Sequence, residues 1–125
     1  MTQEDKDLLF RDLCGRLPYR VILNCAGNIG EKLKMIDENG LINNDWDINE
    51  VKPYLRSMSS MTEEEMKEYH KTFRAEPYGS GIGWVYVESI YSFDWLNKHG
   101  FDYRGLIPKG LAIEVTEDNN PYKDD

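Results

Sequence analysis

Apolar residues recur every three to four positions at the start of this chain and every second position directly after it. Leu9, Leu13 and Leu17, with Phe10, fall at helical spacing. Thr2 and Asp5 give this helix an N-terminal cap pattern, and Gly15 and Pro18 stop it by about Arg16. Tyr19, Val21, Leu23 and Cys25 then alternate with Arg20, Ile22 and Asn24, which predicts a strand. Ala26-Gly27-Asn28 predicts a turn, and Gly30–Asp37 a returning strand. Asn39-Gly40 is a hairpin signal, because tight two-residue turns require positive φ at their centre. It leads to a third strand near Leu41–Ile48, with Ile42, Trp46 and Ile48 on one side.

Val51–Met61 has a weaker pattern and reads as a polar connector anchored by Tyr54, Leu55, Met58 and Met61. Thr62 with Glu65 is a capping box, and the acids Glu63, Glu64 and Glu65 suit the positive end of a helix dipole. This second helix runs to about Phe73, with Met66, Tyr69 and Phe73 on one face. Pro77, Gly79, Gly81 and Gly83 predict a loop, and Trp84–Ser89 a fourth strand. Ser92 opens a third helix with Trp95 and Leu96 inward, and His99-Gly100 ends it. Asp102 caps a last short helix, Tyr103–Lys109, stopped by Gly110; Leu111, Ile113 and Val115 outline a short final strand.

These elements predict an α+β fold in the order α-β-β-β-α-β-α-α. An antiparallel sheet of about four strands is covered by three to four helices. Residues 1–117 form one domain, and residues 118–125 a polar acidic tail.

Charge sharpens the picture. The chain of 125 residues has formal net charge -8. Residues 1–12 and 114–125 carry most of the excess, and the middle is nearly balanced. Such a balance disfavours direct nucleic-acid binding, which draws on phosphate neutralisation. The opening MTQEDKDLLFRDL lacks the apolar core of a secretory signal, and no apolar run approaches the ~20 residues that cross a bilayer. The expectation is a cytoplasmic protein without membrane contact. Its two cysteines, Cys14 and Cys25, read as ordinary buried thiols, with a disulfide between them possible.

Candidate chemistry is sparse. Asp45-x-Asp47-x-Asn49 opens like a calcium loop, but Glu50 and Arg56 stand where a glycine and a glutamate are needed, so it reads as an acidic turn. Gly79-Ser80-Gly81-Ile82-Gly83 precedes a strand, whereas a dinucleotide loop follows one, so its glycines read as flexibility or a bulge. His70 reads as solvated and His99 as a dipole-matched helix end, with no ligand spacing around either. No nucleophile–base pattern is present around Cys14, Cys25, Ser57, Ser59 or Ser60. No catalytic residue, metal or cofactor is therefore expected.

The aromatics are more informative. Tyr54, Tyr78, Trp84, Tyr86, Trp95, Phe101 and Tyr103 are many for one small domain. Tyr and Trp beside Arg are the composition of a protein-binding hot spot. The candidate binding residues are Tyr54, Arg56, Tyr103 and Arg104, in the loop Arg56–Met61 and the turn Phe101–Arg104.

PYLRSMSSMTEEEM (Pro53–Met66) and DWLNKHGFDYRGLIPKGLA (Asp94–Ala112) resemble segments of a group of small uncharacterised proteins from gut anaerobic bacteria and their mobile elements. The two blocks cover about a quarter of the chain. The resemblance implies a bacterial or phage setting and carries over no functional residue. Three functions stand open: a non-enzymatic interaction or accessory module with a protein partner, an acidic antagonist that mimics nucleic acid, and a small enzyme with an aromatic-lined pocket. The antagonist would use Asp37, Glu38, Asp45, Asp47, Glu50, Glu63, Glu64, Glu65 and Glu68, among which Lys32, Lys34, Lys67 and Lys71 are interspersed.

Overall fold

A computed structural model describes residues 1–79 and 83–123. The elements in chain order are α1 (Gln3–Arg16), β1 (Ile22–Cys25), β2 (Asn28–Lys32), β3 (Val51–Leu55), α2 (Glu63–His70), β4 (Arg74–Tyr78), β5 (Gly83–Val87), α3 (Ile90–Lys98) and β6 (Ile113–Glu114). The fold is α+β, as the hydrophobic pattern predicts.

Local chemistry sets the helix starts. The Thr2 hydroxyl accepts the Asp5 backbone N–H at 3.1 Å, and the Asp5 carboxylate accepts the Thr2 N–H at 3.4 Å. Thr62 and Glu65 repeat the arrangement at α2. Each box satisfies backbone donors that a helix start leaves orphaned. At α3 the cap is Ser89 rather than Ser92. Ser92 is the third helical residue, and its hydroxyl accepts from the Ser89 N–H. The helix therefore starts one turn earlier than expected. α2 ends at His70, short of Phe73, where the chain turns into β4.

The main sheet has the order β2-β1-β3-β6. β1 pairs antiparallel with β2 and β3, while β6 runs parallel to β3, so the sheet is mixed rather than antiparallel. The third strand is Val51–Leu55, expected as a connector, and not Leu41–Ile48. Asn43 and Asn44 both adopt positive φ, so the predicted strand folds back on itself. Ile42 bridges Ile36 on one side and Trp46 on the other. Val51–Leu55 gains strand character from burial of Val51, Tyr54 and Leu55. Its Pro53, which has no N–H, sits where β3 is flanked by β1 alone.

The predicted fourth strand does form, but outside this sheet. β5 pairs with β4, which lies between the end predicted for the second helix, near Phe73, and the loop predicted from Pro77 on, to make a separate two-stranded ribbon. The predicted last helix, Tyr103–Lys109, is a run of turns. Gly105 at φ +76° and Pro108 break it, while the Asp102 carboxylate accepts from the Leu106 and Ile107 N–H groups at 2.8 and 2.9 Å. The segment after Glu117 is anchored at Tyr122. Its hydroxyl accepts the Ile22 N–H and donates to the Tyr54 carbonyl, both at 2.9 Å.

α1 covers the main sheet with Leu9 and Leu13, which pack on Val21, Leu23, Cys25, Val51 and Leu55. A second cluster joins α2 to α3 through Tyr69, Leu96 and Phe101, with Trp95 at its margin. Both cysteines are free thiols; Cys25 is buried as expected, but Cys14 is exposed, because it lies on the outer side of α1. Most of the glycine loop, residues 80–82, lies outside the described residues.

Candidate functional site: an exposed aromatic ribbon

The four residues singled out from sequence are drawn together, yet mostly inward. Tyr54 is buried in β3, 2% exposed. Arg56 forms a two-pronged ion pair with Glu65 at 2.7 and 2.8 Å, donates to the Ser60 carbonyl at 3.1 Å, and lies 4.2 Å over the Phe101 ring. This fork fixes the geometry that a single ammonium would leave loose. Arg56 holds the Glu65 carboxyl down at about 2, aided by the Thr62 cap and opposed by partial burial. Tyr103 donates to Asn97 at 3.1 Å, and its ring meets the Arg16 and Arg104 guanidinium groups. Arg104 donates to Asp12 at 2.9 Å. Backbone bonds between Arg56 and Gly100, and between Asp102 and Arg56, lay Phe101 beside the end of β3. The geometry thus gives Arg56, Tyr103 and Arg104 work in closing the fold.

The solvent-facing aromatics lie elsewhere. Trp84 is 68% exposed and Tyr86 72%. The β4–β5 register sets Pro77 opposite Trp84 and Ala75 opposite Tyr86. Alternating side chains point to opposite faces of a strand, so these four residues share one face. That face is exposed throughout and carries no charge, in a chain of which 30% is charged. Glu76, Val85 and Val87 occupy the other face and are half-buried. Tyr78, on that second face, is exposed beside the turn.

The two ribbon edges differ. β4 carries Arg74, Glu76 and Pro77, the charged and proline residues that blunt an edge against further pairing. β5 reads Gly-Trp-Val-Tyr-Val and carries none of them. Among the described residues its outer edge pairs with no strand. Next to the ribbon, Phe73, Arg74, Ile90, Tyr91 and Phe93 line an open groove of about 830 Å³, continuing the apolar surface onto the start of α3.

Sequence reasoning noticed Trp84 and Tyr86 among the aromatics without marking them as the site. A signal was present: Trp84-Val85-Tyr86-Val87 is apolar on both faces, more than a half-covered ribbon can bury. What the pattern lacked was the pairing with β4, because Arg74–Tyr78 does not alternate as a strand.

Titratable groups give little more. Burial, with Glu31 and Glu50 nearby, pushes the Cys25 thiol up to about 11. Burial and a hydrogen bond to Glu88 push the Tyr69 hydroxyl upward. Asp47 caps a short 3₁₀ turn over Ile48–Glu50 and accepts from the Asn49 backbone at 2.9 Å. Among the described residues no three His, Cys, Asp or Glu side chains cluster as metal ligands, and no helix is long and apolar enough to cross a membrane. Comparison with protein-family models, with curated proteins and with solved structures finds no match for the chain.

Proposed function

We propose that this chain is a non-enzymatic protein-interaction module that receives an extended segment of a partner protein along the outer edge of β5. The single observation that carries this reading is the uncharged, exposed face of Trp84, Tyr86, Ala75 and Pro77 beside an unguarded strand edge. Strand addition uses the edge N–H and C=O groups for affinity and alternate side chains for specificity. Trp and Tyr are the usual anchors of such contacts, because they offer large apolar area with a polar tip. A bacterial or phage setting, implied by the Pro53–Met66 and Asp94–Ala112 segments, belongs to the same proposal.

The acidic-antagonist reading has weaker support. Asp37, Asp47, Glu50 and Glu65, four of its nine acids, accept hydrogen bonds from nearby backbone N–H groups. Such acids serve turns and caps, and lysines interrupt the remainder.

The test compares tagged wild type with Trp84→Lys/Tyr86→Lys in capture from a bacterial lysate, followed by hydrogen exchange on the purified complex. Both positions are exposed, so the double variant should fold with an unchanged thermal midpoint. The expected result is one stoichiometric protein held by the wild type and lost by the variant, with new protection at the amides of residues 83–87. Equal capture by both proteins, or protection confined to other segments, overturns the proposal.

A further inference from the structure

We propose that β5 pairs with β5 of a second copy of this chain, antiparallel about Val85, when no partner segment occupies its outer edge. This pairing rests on the reading of β5 as the partner-receiving edge, and it regulates that edge by covering it. A two-stranded ribbon is marginal by itself, and stability comes with three or more strands. Among the described residues β4 and β5 form such a two-stranded ribbon. Two copies joined along β5 make one four-stranded sheet in the order β4-β5-β5-β4. The difference between the ribbon edges selects a second copy as the occupant. An extended segment laid on β5 presents a new open edge of its own. A two-fold pairing instead buries both unguarded edges and leaves the two β4 strands outside, where Arg74, Glu76 and Pro77 stop further addition. The strands that meet, Gly83–Val87 of each copy, are uncharged, so no like charges are brought together.

Proline chemistry and the ribbon register fix the pairing. Pro77 has no N–H, and a proline in a paired strand turns its nitrogen to the open side. Trp84, which stands opposite Pro77, therefore belongs to a pair that exchanges no ladder bonds across the ribbon. Its backbone N–H and C=O point to the outer edge of β5, and so do those of Tyr86, two residues on. A two-fold axis at Val85 sets Trp84 opposite Tyr86 of the second copy, and Tyr86 opposite Trp84 of the second copy. Both pairs exchange N–H···O=C bonds, and each lays an indole beside a phenol on the exposed, uncharged face. An axis at Tyr86 would set Trp84 opposite Glu88 of the second copy, beyond the end of β5. An axis at Trp84 would carry Tyr86 past Gly83 of the second copy. Val85 is thus the centre that keeps both aromatic pairs.

The experiment combines sedimentation of the purified chain with cysteine cross-linking. Sedimentation is expected to show a concentration-dependent species of twice the chain mass. Cross-linking reads the register in a Cys14→Ser background, which removes the exposed native thiol and leaves only the buried Cys25. There Val85→Cys should form a disulfide between copies under mild oxidation. The two residues at the axis form a pair without ladder bonds, about 4.5 Å apart at Cα and within reach of an S–S bridge. Val87→Cys, on the same half-buried face, lies four residues and about 13 Å from its counterpart, and should stay uncross-linked. A monomer at every concentration, a dimer that Val85→Cys does not cross-link, or equal cross-linking of both variants overturns the proposal. The two readings of the edge fail separately. A monomer that captures a partner with protection at residues 83–87 overturns the self-pairing alone, and a dimer cross-linked at Val85→Cys that captures no protein overturns only the partner reading.

Discussion

Asp12 and Arg16, one helical turn apart on α1, form an ion pair at 2.8 Å with both side chains wholly buried. Asp12 also accepts from Arg104 at 2.9 Å, and Arg16 donates to the Phe101 carbonyl at 2.6 Å. The pair thus fastens the Phe101–Arg104 turn to the first helix. Buried ions are tolerated only with such partners, and removing one partner strands the other. Asp12→Ala is therefore expected to destabilise by about 3–5 kcal/mol, read from denaturant midpoints. Asp12→Ala/Arg16→Met should recover part of that loss. Equal destabilisation of single and double variants would mean that packing, not stranded charge, sets the cost.

The Arg56–Glu65 fork makes a pH prediction. The Glu65 carboxyl lies at about 2 in the folded chain, against an ordinary value of 4.5. A depressed carboxyl adds stability above its unfolded value, and that stability is lost as pH falls through the folded one. Its contribution, on the order of 2 kcal/mol after solvent screening, should disappear between about pH 4.5 and pH 2. Glu65→Gln is expected to be less stable than wild type at pH 7 and nearly equal to it near pH 2, by thermal unfolding across that range. A constant gap at every pH would place the effect in the cap rather than in the ionised pair.

Thiol labelling separates the two cysteines. Cys14 is exposed, while Cys25 is buried and its thiol is pushed up to about 11. Only the thiolate reacts readily. Native protein at pH 8 should yield one fast thiol, and denatured protein two. Cys14→Ser should remove the fast phase. Two fast thiols in the native state would contradict the burial of β1.

Tyr122→Phe removes one hydroxyl that both accepts from Ile22 and donates to the Tyr54 carbonyl. Stranding these two backbone groups should cost about 1–3 kcal/mol. Faster exchange at the Ile22 amide is the specific sign, and its absence would show that water replaces the hydroxyl.

Much of the fold was legible along the chain because its causes are local. The capping boxes at Thr2 and Thr62 need only residues three positions apart, and the turn after Cys25 needs only its glycine. Asp12 and Arg16 share the α1 face of Leu9 and Leu13, so even the buried pair left a trace in the spacing. The strand at Val51–Leu55 left none, because its extended form comes from burial between β1 and β6 rather than from alternation.

The candidate surface followed the same division. Sequence by itself determined that aromatic side chains are many for one small domain, and that the sheet and helices would fall in an α+β arrangement. Tertiary structure alone decided which aromatics went inside. Tyr54 and Phe101 were drawn in by strand pairing and by backbone bonds to Arg56, whereas Trp84 and Tyr86 were left out because, among the described residues, β5 pairs with β4 alone. Periodicity specifies which residues share a face; what covers that face depends on contacts between distant segments, and these exist only once the chain has folded.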